Sequence, residues 1–60
     1  MAKENQAFGV GDIAIIAKEN VRVKVVACCL DEGRWYYEVD AVDFKAPYTR
    51  EVKQSDLIRA

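Results

Sequence analysis

Residues 21–25 read Val-Arg-Val-Lys-Val, residues 31–33 read Asp-Glu-Gly, and residues 37–41 read Tyr-Glu-Val-Asp-Ala. Apolar and polar residues alternate in the first and last stretches, which is the period of a half-buried β-strand. The Asp-Glu-Gly between them is typical of a hairpin loop. The sequence therefore predicts an antiparallel hairpin whose three-residue loop is closed by a left-handed Gly33.

That loop length predicts which residues face each other across the hairpin. The core face is predicted to contain three pairs: Val25 with Val39, Ala27 with Tyr37, and Cys29 with Trp35. The outer face is predicted to pair Lys24 with Asp40, an opposite-charge contact, and Cys28 with Tyr36.

Further short strands flank the hairpin. Phe8-Gly9-Val10-Gly11-Asp12 suits a tight turn leading into a first strand over residues 12–17, with Ile13 and Ile15 on one face. A fourth strand is predicted over residues 48–52, then a single turn with Ser55 as N-cap, and a short last strand or tail at residues 58–59. We expect an all-β fold: one small five-stranded antiparallel barrel over residues 8–60, with one short 3-10 turn and a flexible tail over residues 1–7.

Composition narrows the chemistry. The chain has 60 residues, a net charge of −1 and no histidine. Its two cysteines, Cys28 and Cys29, are adjacent, so on a strand they point to opposite faces and fit neither a disulfide nor a zinc site. We therefore predict no catalytic residue, no metal and no cofactor. Unpaired thiols suit the cytoplasm, and no apolar run approaches the length of a membrane span.

The candidate binding residues lie on the predicted outer face of the hairpin. Val26, Cys28, Leu30 and Tyr36 would form an apolar patch on a face that should meet water, and such patches often mark interfaces. Arg22, Lys24 and Arg34 would set the register of a partner. The alternative is a bulge at residues 25–26 or 28–29 that flips the strand and buries the patch.

Two motifs carry a family resemblance. Val10-Gly11-Asp12-x-Ala14 and Val52-x-x-Ser55-Asp56-Leu57 resemble the SH3-like barrels, a group that includes Tudor and KOW modules. That resemblance implies an SH3-like barrel, and in the Tudor case an aromatic cage to which Phe44 and Tyr48 would contribute. The start Phe8-Gly9-x-Gly11-Asp12 is similar to the trimethoprim-insensitive dihydrofolate reductases, which implies self-association. Their Val-Gln-Ile-Tyr pore segment is replaced here by Thr49-Arg50-Glu51-Val52.

These observations predict a cytoplasmic accessory protein: a non-catalytic protein-interaction module whose partner is another protein or a second copy of itself. One alternative is a self-assembling barrel with a small-molecule or enzymatic site between subunits. The other is a nucleic-acid-binding accessory protein, which the near-neutral charge disfavours.

Overall fold

The computed structural model describes residues 4–43 and 49–60, which form five β-strands and one 3-10 turn. The strands are β1 (Ile13–Ile16), β2 (Val21–Asp31), β3 (Arg34–Ala41), β4 (Thr49–Lys53) and β5 (Leu57–Arg59), and the 3-10 turn (Gln54–Asp56) joins β4 to β5. No α-helix occurs in these two ranges, so the predicted all-β class is confirmed. Within them, no helix has the length and apolar character needed to cross a membrane.

The strands form a single antiparallel sheet in the order β4-β3-β2-β1-β5. Among the described residues, β4 and β5 are edge strands that do not pair with each other, so the pairings do not close the sheet. Arg50 on β4 bonds Glu19, in the loop between β1 and β2, at 2.6 Å. The five antiparallel strands and the 3-10 turn are confirmed, whereas closure into a barrel stays a prediction.

The core lies on one face of the sheet. In β1 the buried positions are Ala14 and Ile16, so Ile13 and Ile15 face away from the core. The rings of Phe8 and Tyr37 meet edge to face at 5.6 Å. The buried side chains are those of Phe8, Ala14, Ile16, Val23, Val25, Tyr37, Val39, Val52 and Leu57.

The predicted turn before β1 is confirmed. The amide of Asp12 donates to the carbonyl of Gly9 at 3.0 Å, and Gly11 has a φ of +95°, which suits the third position of a type II turn. The Asp12 carboxylate accepts a hydrogen bond from the Gly9 amide at 2.8 Å. Gly11 N and Asp12 O then bond the backbone of Val25 at 2.8 and 2.9 Å, which fixes the start of β1 against the middle of β2.

The hairpin loop has two residues, Glu32 and Gly33, where three were predicted. Both have positive φ, 50° and 79°, as a type I′ turn requires. Asp31 therefore lies opposite Arg34, and every pair between the loop and the bulge is shifted by one residue from the prediction.

A β-bulge between Val25 and Ala27 restores the predicted register on the other side of Val26. The predicted pairs Val25 with Val39 and Lys24 with Asp40 are correct. The predicted pairs Ala27 with Tyr37, Cys29 with Trp35 and Cys28 with Tyr36 are wrong. The observed partners are Glu38 for Ala27, Tyr37 for Cys28, Tyr36 for Cys29 and Trp35 for Leu30.

The turn between β4 and β5 differs from its prediction in its cap. It begins at Gln54 and its N-cap residue is Lys53, which makes no side-chain cap bond. Ser55 therefore lies inside the turn, and its prediction as N-cap is wrong. The last strand is confirmed and begins at the buried Leu57.

Candidate protein-interaction surface

The observed register divides the predicted apolar patch between the two faces of the hairpin. Cys28 lies opposite Tyr37 and packs against the core, and Leu30 lies opposite Trp35 on that same face. Tyr36 faces the other way, opposite Cys29. The expectation of one contiguous patch is therefore wrong, because the shorter loop shifts the pairs between bulge and loop by one residue.

Of the four predicted apolar anchors, Val26 and Leu30 are exposed, at 38% and 41%. Val26 is the bulged residue of β2, and Leu30 lies near the hairpin loop. Cys28 is half-buried, and its thiol lies 3.9 Å from the carbonyl oxygen of Phe8. The inward cysteine is thus Cys28, whereas Cys29, expected in the core, is exposed.

The predicted basic residues occupy two places. Arg22 and Lys24 lie on the outer face of β2, and Arg22 forms an exposed ion pair with Asp43 at 3.7 Å. Lys24 lies opposite Asp40, whose carboxylate accepts a hydrogen bond from Thr49 Oγ1 at 2.6 Å. Arg34 lies at the hairpin end, opposite Asp31. The remaining predicted residues, Phe44 and Tyr48, lie outside the described residues.

Three isoleucines on the outer face were not among the predicted binding residues. Ile58 on β5 lies opposite Ile15 on β1, and Ile15 lies opposite Arg22 on β2. Ile13 lies two residues before Ile15 and opposite Lys24. Ile13 and Ile58 are 41% and 50% exposed. We call Ile13, Ile15 and Ile58 the outer isoleucine surface.

The sequence contained a signal for this surface. The alternation of β1 places Ile13 and Ile15 together and separates them from Ala14 and Ile16. Deciding which pair is buried requires the pairing with β5, which puts Leu57 beside Ile16 and Ile58 beside Ile15. The final strand is three residues long, too short to show that pairing by its own pattern.

Two glutamates face each other on the β3–β4 half of the outer face. Glu38 on β3 lies directly opposite Glu51 on β4, and both side chains are exposed. Like charges at facing positions repel each other. An open depression of about 400 Å³ lies beside Glu51, and Cys29, Leu30, Asp31 and Tyr36 line the rest of it. Within residues 4–43 and 49–60, no three His, Cys, Asp or Glu residues are grouped to hold a metal ion.

A second surface is filled by the chain itself. Residues 4–7, within the stretch predicted as a flexible tail, contact the hairpin end and the 3-10 turn. The Glu4 amide donates to the Gly33 carbonyl at 2.7 Å, the Glu4 carboxylate accepts from the Trp35 amide at 2.8 Å, and the Glu4 carbonyl accepts from Trp35 Nε1 at 3.0 Å.

The same segment continues along the 3-10 turn and β5. The Gln54 side chain donates to the Asn5 carbonyl at 2.9 Å and accepts from the Ala7 amide at 3.0 Å. Arg59 donates to the Ala7 carbonyl at 3.0 Å. We call the surface formed by Gly33, Trp35, Gln54 and Arg59 the N-terminal groove.

No protein-family model, no curated protein and no solved structure matches this chain.

Proposed function

We propose that this chain is a non-catalytic protein-interaction module that docks on another protein through the outer isoleucine surface and the adjoining β2 residues Arg22 and Lys24. Val26, from the patch predicted by sequence, lies exposed on the same strand. A short 3-10 turn directly before the last strand supports placing the fold with the SH3-like barrels.

The observation that carries the proposal is the way β1 distributes its side chains. The core receives Ala14, and two of the three isoleucines of β1 are turned outward. Across the sheet, Ile58 extends this apolar row to the edge strand β5. Contiguous exposed apolar side chains on a small domain mark sites where another surface binds.

Charge indicates what kind of partner fits. Arg22 lies opposite Ile15 and Lys24 opposite Ile13, so the apolar row has basic residues along its β2 side. On the same face, β3 and β4 carry Glu38, Asp40 and Glu51. A partner would therefore present an apolar patch with acidic groups next to Arg22 and Lys24. The mixed charge of the whole face favours a protein partner over a nucleic acid.

The test compares two charge insertions at exposed apolar positions. Ile58→Glu places a carboxylate in the isoleucine surface, and Val10→Glu places one at the turn before β1, where Val10 is 69% exposed. The natural chain and both variants are immobilised and exposed to the same lysate. We expect the protein retained by the natural chain and by Val10→Glu to be reduced at least tenfold on Ile58→Glu, about 1.4 kcal/mol of binding. Equal retention by all three would refute the proposal.

A further inference from the structure

The N-terminal groove has the features of a peptide-binding site. Gly33, Trp35, Gln54 and Arg59 come from three different parts of the chain and converge on residues 4–7. The groove makes one hydrogen bond to the Glu4 carboxylate and five to the backbone of the segment. The five backbone groups are the amide and carbonyl of Glu4, the carbonyl of Asn5, and the amide and carbonyl of Ala7. Recognition of this kind depends little on side chains, so another extended chain can make the same bonds.

We propose that this groove binds an extended segment of a partner protein that carries one carboxylate side chain, and that residues 4–7 of the chain occupy it in the partner's absence. The site is separate from the outer isoleucine surface, so the inference goes beyond the docking proposed above. Residues 4–7 thus act as an internal competitor for the partner segment.

The bound residues define the sequence that fits. The carboxylate at position 4 accepts from the Trp35 amide at 2.8 Å, so a charged acceptor gives the strongest bond there. Ala7 packs against the core, so a small apolar residue is needed three positions later. Asn5 and Gln6 are exposed, so those two positions are unrestricted. Proline is excluded at positions 4 and 7, whose amides both donate.

One ring contact and one hydrogen bond hold the side chains of the groove in place. Trp35 stacks on Tyr37 with ring centroids 6.4 Å apart, and Tyr37 is fully buried. The Tyr37 hydroxyl donates to Gln54 Oε1 at 2.5 Å, which orients the amide that contacts Asn5 and Ala7. A groove whose side chains are already oriented loses less entropy when a ligand binds.

The test uses the full chain, in which Trp35 is the single tryptophan, so that one indole N–H signal reports the groove. Glu4→Ala removes the carboxylate bond and so weakens the hold of residues 4–7 on the groove. Asn5→Ala is the matched control, because Asn5 is exposed and bonds the groove through its backbone carbonyl. The probe is a synthetic peptide of residues 1–7 with an amidated C-terminus. A second peptide carries Gln in place of its Glu.

We expect the indole signal to shift in Glu4→Ala and to return toward its original position as the natural peptide is added. Binding should be at least tenfold tighter to Glu4→Ala than to the natural chain or Asn5→Ala, because their own residues 4–7 compete. The Gln peptide should bind at least tenfold more weakly than the natural one. Glu4→Gln keeps an acceptor oxygen and removes only the charge, so it is the milder weakening variant if Glu4→Ala loses its dispersed spectrum.

Two results would overturn the inference. The first is an indole signal in both Glu4 variants that neither differs from that of the natural chain nor responds to the peptide. The second is a doubling of mass when the groove opens, which would assign it to residues 4–7 of a second copy. Ile58→Glu should bind the peptide as the natural chain does, so failure of the outer surface and failure of the groove give different results.

Discussion

Gly11 is the residue whose backbone most constrains the start of the sheet. Its φ of +95° lies in the region that favours glycine, and its amide bonds the Val25 carbonyl at 2.8 Å. We expect Gly11→Ala to lower the free energy of unfolding by about 1–2 kcal/mol through backbone strain alone, because nothing lies within 4 Å of the added Cβ. Urea denaturation measures this change.

Gly9→Ala is the matched control for that measurement. A Cβ at Gly9 would lie 4.0 Å from Asp12 Oδ2, an ordinary contact, and Gly9 is not among the positive-φ glycines. We expect a change below about 0.5 kcal/mol. An equal loss at both glycines would contradict the left-handed backbone of Gly11 as the cause.

The charge of Glu51 lowers the stability of the fold. It faces Glu38 across β3 and β4, where like charges repel. We expect Glu51→Lys to raise the free energy of unfolding by about 0.5 kcal/mol at low salt, because it converts a repulsive pair into an attractive one. Thermal or urea denaturation at two salt concentrations measures it. A gain that does not shrink at high salt would contradict an electrostatic cause.

At the scale of elements, the β2–β3 hairpin shows what the sequence can and cannot predict. Alternation identified both strands and the pairs around Val25 and Lys24. It could not separate a two-residue loop plus a bulge from a three-residue loop, because both give the same pairs beyond Val26. The two-residue loop was not predicted because it places Glu32 at a φ of 50°, where glutamate is uncommon.

That same residue supplies a prediction for the hairpin. Asn tolerates the left-handed backbone better than Glu, and Asn-Gly is the preferred type I′ pair. Glu32→Asn should therefore raise the free energy of unfolding by about 0.5 kcal/mol. Lys18→Asn is a control in another turn, at a position without positive φ. A gain at Lys18 as large as that at Glu32 would argue against turn geometry as the source.

Candidate sites were harder to predict than strands. Arg22, Lys24 and Val26 lie at exposed positions of β2, as predicted. Cys28 and Leu30 lie on the face opposite to the predicted one, because the register differs by one residue. The outer isoleucine surface depends on the pairing of β1 with β5. The N-terminal groove depends on contacts between residues up to 52 positions apart. Long-range pairing of this kind leaves no periodic signal in a single sequence.

At the scale of the whole molecule, the small size of the chain limits how much of its surface can be buried. A domain of about 60 residues buries only about 60% of the surface that its unfolded chain exposes. Within residues 4–43 and 49–60 there is one sheet and no second layer that covers the side chains of its outer face. We therefore expect a protein that covers the outer isoleucine surface to gain stability by removing apolar surface from water.

The central claim is that this surface is left open for another protein. Static light scattering at micromolar concentration and at tenfold higher concentration, for the natural chain and for Ile58→Glu, tests it most directly. We predict the mass of a single 6.8 kDa chain for both proteins at both concentrations. A dimer or tetramer of the natural chain that Ile58→Glu reduces to single chains would contradict the claim, because a second copy would then occupy the outer isoleucine surface.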